Sequence, residues 1–568
     1  MFILDWLKRD KYFIIVIFAS LIFLFVYSWL YSGQQAKFTS PDETANYYFI
    51  KLFTEKNQLR TYEPLNEIAD GNIRPRSIGF FNGYTVPGSF LGIILIYGII
   101  AKIFGSWIVL YLTPLFSIVG VLFFYLLIKE IFGKKIAFIS SLLLFVLPPF
   151  WYYNSRGMFH NVLFVDLLIV GLYFLIKAVF KSATSEKRPV FANATAGRHA
   201  TSLNILIAGF FIGLALITRT SEITWISIML LVLFVINWRK IGWRNTIIFL
   251  GIIVLLFIPI FYLNNLLYNS PSAFTYSKES IDTTSLETIS QTLFLKFRQI
   301  ILPFGINFNQ ICQSAYQYII IIFPWFFILF VFSFIWFFKK IILIWLNKIF
   351  PEIKINYRLE YKQKTYLWLY GFMALWLITY YGSYEFYEYI DKTKIILGSS
   401  YLRYWLPIYI FSLPFVALTI LRIKYFFQSK ILRYIISPAI ILLFVFFSIN
   451  VVLLNPLQGI VKLKSYIKNN IEKKEIIIKK TEPDSVIIAG FADKIFFPER
   501  KVIVNLPNDN NKMNDILVKL KDKVSVYYFF NPLDENSQKN IEDIKNLGIV
   551  LNQVQIFTKD NEVLYRLQ

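Results

Sequence analysis

Two adjacent carboxylates, Asp42 and Glu43, stand in the stretch KFTSPDETANYYF, shortly after an apolar run from Tyr12 to Tyr31. Two kinds of chemistry suit them. Ser40, Pro41 and Glu43 match the N-cap, N1 and N3 positions of a helix start, so the pair can close a capping box. A carboxylate on the first turn of a helix at a membrane surface is also a rigidly placed general base, or a ligand for a divalent cation. Both uses fit together if Asp42 is the base and Glu43 its support.

Other ionisable residues sit at the ends of apolar runs. In GLALITRTSEITW, Arg219 and Glu222 are three residues apart. They either tie a helical hairpin or leave Arg219 as a phosphate contact, since guanidinium matches phosphate geometry. In SSYLRYWLP, Arg403 and Tyr404 are a snorkelling interface anchor or a second phosphate contact. Arg74, Arg76, Arg156, His160 with its neighbour Asn161, Lys296 and Arg298 join the candidates for an anionic substrate. Asp166 lies inside an apolar run, where a carboxylate serves an ion path or a polar packing contact.

No cofactor is required by these residues. A divalent cation on Asp42 and Glu43 is the one candidate. Two histidines, His160 and His199, and the single Cys312 cannot form a Cys/His zinc site, and one cysteine forms no internal disulfide.

The elements that must position these groups cross a bilayer. The 568 residues are 57% hydrophobic with a mean hydropathy of +0.55, and apolar runs of about 18 or more residues recur. The net charge is +23, of which only +3 falls between Val461 and Gln568 (18 Lys+Arg against 15 Asp+Glu). The remaining excess clusters in short loops between apolar runs, as the positive-inside rule requires, and gives no reason to expect nucleic acid as a partner. The N-terminal run, preceded by Lys8, Arg9 and Lys11, is too long for a cleaved signal peptide and reads as a first span.

Twelve apolar runs begin at Tyr12, Tyr84, Trp107, Ile136, Val162, Leu203, Ile223, Thr246, Tyr318, Tyr366, Tyr404 and Tyr434. If all crossed, the basic loops 129–135, 187–198, 239–244 and 339–364 would face the opposite side from Lys8. If 84–104, with Pro87, Gly88 and Gly92, is re-entrant or interfacial, every basic loop falls inside. About eleven transmembrane helices result, with the N-terminus cytoplasmic and the C-terminus extracytoplasmic. The outer segments are then 32–83, 154–161, 268–316 and 381–403. The expected organisation is a polytopic all-α transmembrane domain, 1–455, followed by a small soluble α/β domain, 456–568. In that tail SVIIA, KVIVN and VSVYYFF read as strands, between segments of helical periodicity. It contains neither a Walker A motif nor GxGxxG.

In order along the chain, these features resemble the GT-C glycosyltransferases. A first span leads to an outer loop opening with PDE, then to an element ending in IAKIFG. IKEIFGKKIAFISSLLLFVLPPFWYYNSRG, IAGFFIGLALITRTSE and YLRYWLPIY are similar to later segments of that family. The nearest branch includes aminoarabinose transferase and protein O-mannosyltransferase relatives, and the resemblance covers roughly 1–455. It implies a polyprenyl-phosphate-linked sugar as donor and a lipid, glycan or protein acceptor. Asp42 would be the catalytic acid of the first outer loop, acting as general base in the mannosyltransferase-like branch and helping to hold a divalent cation in the oligosaccharyltransferase branch. Glu43 would support it, and Arg403 would face the donor phosphate. His160 and Asn161 stand near where relatives carry a second outer-loop carboxylate, which this chain lacks. The EKP lysine of those relatives has no clear counterpart, although Arg74 and Arg76 lie nearby.

Two other functions fit a polytopic chain. A transporter or flippase of lipid-linked glycans would show internal repeats and broken helices at the midplane; no convincing repeat is present, and the polar residues gather on one face. A surface-glycan polymerase or ligase would place its large outer loop elsewhere.

Overall fold

The computed structural model describes residues 10–32, 36–181, 194–271, 304–349, 360–386, 395–506, 510–532 and 535–568. The chain divides into two compact units. One comprises Met1–Leu30, Thr113–Phe257 and Thr283–Lys462; the other comprises Tyr31–Leu112, Ile258–Asp282 and Leu463–Gln568.

The first unit is helical, and its helices coincide with the apolar runs of the sequence. Among the described residues, seven helices are long and apolar enough to cross a membrane, and up to nine if two bent pairs each count as one span. The protein is therefore a multi-pass membrane protein. Two expected straight spans are broken. Lys134–Val146 and Pro148–Ser155 meet at 52°, because Leu147 leaves the helical region (ψ 119°) and Pro148 starts a new helix at N1. The second break, before Pro324, bends Phe308–Ile321 against Pro324–Lys339 by 99°. Two further expected spans fall outside the seven to nine: Ile223–Ile236 has only 14 residues, and Tyr361–Gly382 carries Lys362 and Lys364 in its first turn.

The second unit is α/β. Strands β1 (Thr61–Tyr62), β2 (Ile78–Phe81) and β3 (Tyr84–Pro87) form an antiparallel sheet in the order β1-β3-β2. The expected element 84–104 is thus a strand followed by the helix Gly92–Phe104. Its 13 residues span about 20 Å, short of the ~30 Å hydrocarbon core. Strands β4 (Val486–Ile488), β5 (Lys501–Ile503), β6 (Val526–Phe530), β7 (Leu551–Phe557) and β8 (Glu562–Leu567) form a second sheet in the order β5-β4-β6-β8-β7. The first three are mutually parallel; β8 pairs antiparallel to β6, and β7 pairs antiparallel to β8.

The tail does not close its core alone. Leu65, Ala69 and Ile73 of the first loop are buried in the same cluster as Val486, Ile503, Leu517 and Val526, each large side chain contributing about 1.5–3 kcal/mol. Ion pairs repeat the connection: Arg76–Asp493 at 2.7 Å, Lys37–Glu499 at 2.6 Å and Glu63–Lys501 at 3.1 Å. The compact unit that holds the tail resumes at Leu463, near the expected boundary at 455/456, and also takes in Tyr31–Leu112.

Candidate functional site

The SPDE segment folds as its capping pattern predicts. Ser40 is extended (φ −112°, ψ 143°) and caps the helix Pro41–Lys56, its Oγ accepting from the Asp42 N–H. Glu43 closes the box, its Oε2 accepting from the Ser40 N–H at 3.1 Å. Its other oxygen accepts from the Tyr31 hydroxyl at 2.6 Å, and Glu43 is fully buried. Asp42, one position earlier, is half-buried and accepts from the Ser77 hydroxyl at 2.6 Å. The adjacent carboxylates therefore divide: Glu43 is enclosed as structure, and Asp42 keeps access to solvent.

Ser77 is placed by a second set of contacts. It adopts φ +63°, rare for a residue with a Cβ. Its carbonyl packs so tightly against Gly88 that a Cβ there would lie 2.3 Å from the oxygen. The preceding residue, Arg76, donates its backbone N–H to Asp493 at 2.8 Å and its guanidinium to the same carboxylate at 2.7 Å. Asp493 is fully buried, and the Arg76 guanidinium also lies 4.6 Å from the Phe491 ring centroid. A chain of contacts thus runs Asp493–Arg76–Ser77–Asp42. Arg74 donates to the carbonyls of Gly71 at 3.0 Å and Ile78 at 2.6 Å, closing its own loop. Both arginines, expected as substrate contacts, make these bonds within the protein.

The second candidate group lies in the helical unit. Arg156 ends the short helix Pro148–Ser155 and Arg403 belongs to Ser400–Tyr404. Their guanidiniums stand 4.9 and 5.4 Å from the centroid of one ring, Phe159. Arg403 also stands 5.3 Å from the Tyr404 ring, and Arg219 stands 4.4 Å from the same ring. Two aromatic rings therefore link three arginines, of which Arg156 and Arg219 are buried and Arg403 is half-exposed. The ends of three elements are brought together here. His160 and Asn161, both buried, begin the helix that follows Arg156.

Arg219 and Glu222 form the mutual pair, the first of their two expected uses. Glu222 Oε1 accepts from Arg219 Nε at 2.5 Å and from the Tyr381 hydroxyl at 2.6 Å; Oε2 accepts from Trp225. Arg219 in turn donates to the Tyr381 oxygen at 2.8 Å. The pair is a buried clasp, and Arg219 brings its cation to the Tyr404 ring at the same time.

Asp166 is buried, with no hydrogen-bond partner for either oxygen among the described residues. A Cβ on Gly120 would approach its Oδ1 to 2.3 Å, so Gly120 leaves the room it occupies. Arg298 and Lys296 lie outside the described residues. Sequence reasoning missed Ser77, Asp493 and Tyr381. Only Tyr381, at the polar end of an apolar run, carried a signal.

Among the described residues, no group of three or more His, Cys, Asp or Glu side chains converges as a metal site. Glu43 accepts from Ser40 and Tyr31 through its two oxygens, and Asp42 accepts from Ser77.

No known protein-family pattern matches the chain, and no curated protein matches it in sequence. Solved structures do match its fold. ArnT from Cupriavidus metallidurans, in the apo state and bound to undecaprenyl phosphate, superposes with TM-score 0.53 and 10% identity over 97% of each chain. The Archaeoglobus fulgidus oligosaccharyltransferase tethered with an acceptor peptide gives TM-score 0.56 and 13% identity, over 93% of this chain and 70% of that one. The same organism's oligosaccharyltransferase AglB, with an inhibitory peptide and a dolichol-phosphate, gives 0.53 and 13% over 92% and 70%. These neighbours are GT-C glycosyltransferases, and the present chain has their fold.

Proposed function

We propose that this protein is an integral-membrane glycosyltransferase that moves a sugar from a polyprenyl-phosphate donor to an acceptor on the outer face of the membrane. The observation that carries this reading is the gathering of Arg156, Arg219 and Arg403 around Phe159 and Tyr404. Guanidinium stays charged and binds phosphate oxygens in a bidentate fork. Arginines held close together against aromatic rings, at the ends of apolar helices, suit a phosphate on a lipid.

In the reaction, an acceptor hydroxyl attacks the anomeric carbon. The new C–O bond forms as the bond to the phosphate oxygen breaks, and the electron pair leaves with the polyprenyl phosphate. Arg403, the half-exposed member, meets the growing charge on the leaving phosphate; Arg156, Arg219 and the Tyr404 ring hold it in place. Asp42 takes the proton of the hydroxyl, a poor nucleophile at neutral pH. Direct displacement inverts the anomeric centre. His160, Asn161, Glu222 and Arg298 remain candidates for the sugar, and lipid, glycan or peptide hydroxyls for the acceptor. The loop charges support a cytoplasmic N-terminus and an extracytoplasmic tail in a cell membrane.

The test is reconstitution with a radiolabelled polyprenyl-phosphate sugar. Asp42→Asn keeps an oxygen for Ser77 and is expected to fold but to lose transfer by about 100-fold or more. Arg403→Gln is expected to weaken donor binding. Unchanged transfer in Asp42→Asn overturns the role of Asp42. Donor affinity unchanged in Arg403→Gln overturns the phosphate assignment.

A further inference from the structure

The helical unit contains an open apolar groove that begins beside the Arg219–Glu222 pair. It is lined from Leu168 to Phe180 along one helix, from Lys362 to Met373 along a second, and from Trp225 to Leu233 along a third. Twelve residues of helix rise about 18 Å, close to the ~15 Å hydrocarbon depth of one leaflet. Leu172, Leu230 and Thr365 are only partly buried, so the groove is open along its length.

Its two ends differ in charge. At one end Trp225 donates its indole N–H to Glu222, whose carboxylate is paired with Arg219. At the other end, two lysines flank the buried ring of Phe180, Lys362 at 5.1 Å and Lys240 at 5.9 Å from its centroid. Lys362 donates to the backbone carbonyl of Glu130 at 3.2 Å. Among the described residues neither lysine forms an ion pair, although Glu360 stands two positions before Lys362 and Glu130 supplies the carbonyl. An anionic headgroup is attracted at the lysine end, whereas the Arg219–Glu222 pair at the other end carries no net charge.

We propose that this groove holds one acyl chain of an anionic phospholipid, with its phosphate on Lys240 and Lys362. The depth fits one chain of one leaflet, and the charge fixes its direction. The basic loops 129–135 and 239–244 adjoin the lysine end, which the loop charges assign to the inner leaflet.

The test is native mass spectrometry of the purified full-length protein, titrated with phosphatidylglycerol and with phosphatidylcholine of the same chain length. Wild type is expected to retain one phosphatidylglycerol in preference to phosphatidylcholine by about thirtyfold, the contribution of two lysines near a lipid surface. Lys240→Gln with Lys362→Gln is expected to bring the two lipids to parity. Leu230→Trp, which fills the groove, is expected to remove retention of both. Equal retention in wild type overturns the proposal, as does preference that survives loss of both lysines. Competitive displacement of phosphatidylglycerol by a polyprenyl monophosphate also overturns it, by assigning the groove to that chain instead. None of these readouts depends on transfer activity.

Discussion

Replacing Asp493 by Asn is expected to loosen the loop that holds Ser77 against Asp42. Asp493 is fully buried and accepts from the Arg76 backbone at 2.8 Å and from its guanidinium at 2.7 and 3.2 Å. Removing one charge from a fully buried pair costs about 3–5 kcal/mol. The Arg76 side chain is 27% exposed and keeps its contact with Phe491, so solvent and the ring lower the cost to about 2–3 kcal/mol. For a unit of this size that is a fall of about 5–10 °C in melting temperature. Hydrogen exchange should locate the change: residues 71–81 and 490–498 gain exchange while the helices of the other unit do not. Transfer should fall with it, since Ser77 relaxes from its strained φ and releases Asp42. The double variant Arg76→Met with Asp493→Leu replaces the pair by apolar groups and should recover most of the stability. An unchanged melting temperature in Asp493→Asn, or a double variant weaker than the single one, refutes the reasoning.

Two further outcomes are expected. Glu43→Gln preserves the capping box and should retain most transfer activity, whereas Glu43→Ala loses the box and leaves the Tyr31 hydroxyl buried without an acceptor, lowering stability by about 2–3 kcal/mol in a thermal melt; equal loss of transfer in both would make Glu43 a reacting group. In the tail, burial raises the Glu482 carboxyl, but hydrogen bonds from Tyr527 and Ser525 and the charge of Arg566 outweigh it and hold the group below its ordinary range. A lowered carboxylate stabilises above its unfolded pKa, and that contribution disappears as pH falls through the folded value. The loss of tail stability from about pH 5 to about pH 3 should therefore be steeper in wild type than in Tyr527→Phe, as followed by pH-dependent melting; identical slopes would contradict it.

The parts of this protein legible in its sequence are those written in local chemistry. Ser40, Pro41 and Glu43 specify a helix start through contacts within four residues, and the structure contains it. Apolar runs give helices, because the bilayer leaves the backbone no other partners. Strands β4, β5 and β6 stand out as β-branched or aromatic runs, each buried. Strands β7 and β8 did not, since LNQVQIF and EVLYRL are partly polar and belong to the sheet only through pairing with β6 and each other. The breaks at Pro148 and Pro324 were visible as prolines, but a proline inside an apolar run does not fix the angle that follows. Of the site, the arginines at run ends were legible as types, and their sharing of Phe159 and Tyr404 was not. Arg76 shows the limit most plainly: its type suggested a substrate contact, and its partner lies 417 residues away.

That distance bears on how the chain is made. At about 5–20 residues per second, roughly 20–80 s separate synthesis of Arg76 from synthesis of Asp493. Throughout that interval Leu65, Ala69 and Ile73 have emerged without the strands that will cover them. The loop bearing Asp42 is thus among the first segments translated and among the last to mature, so a chain truncated before the final sheet has Asp42 but lacks the Asp493 that fixes its setting.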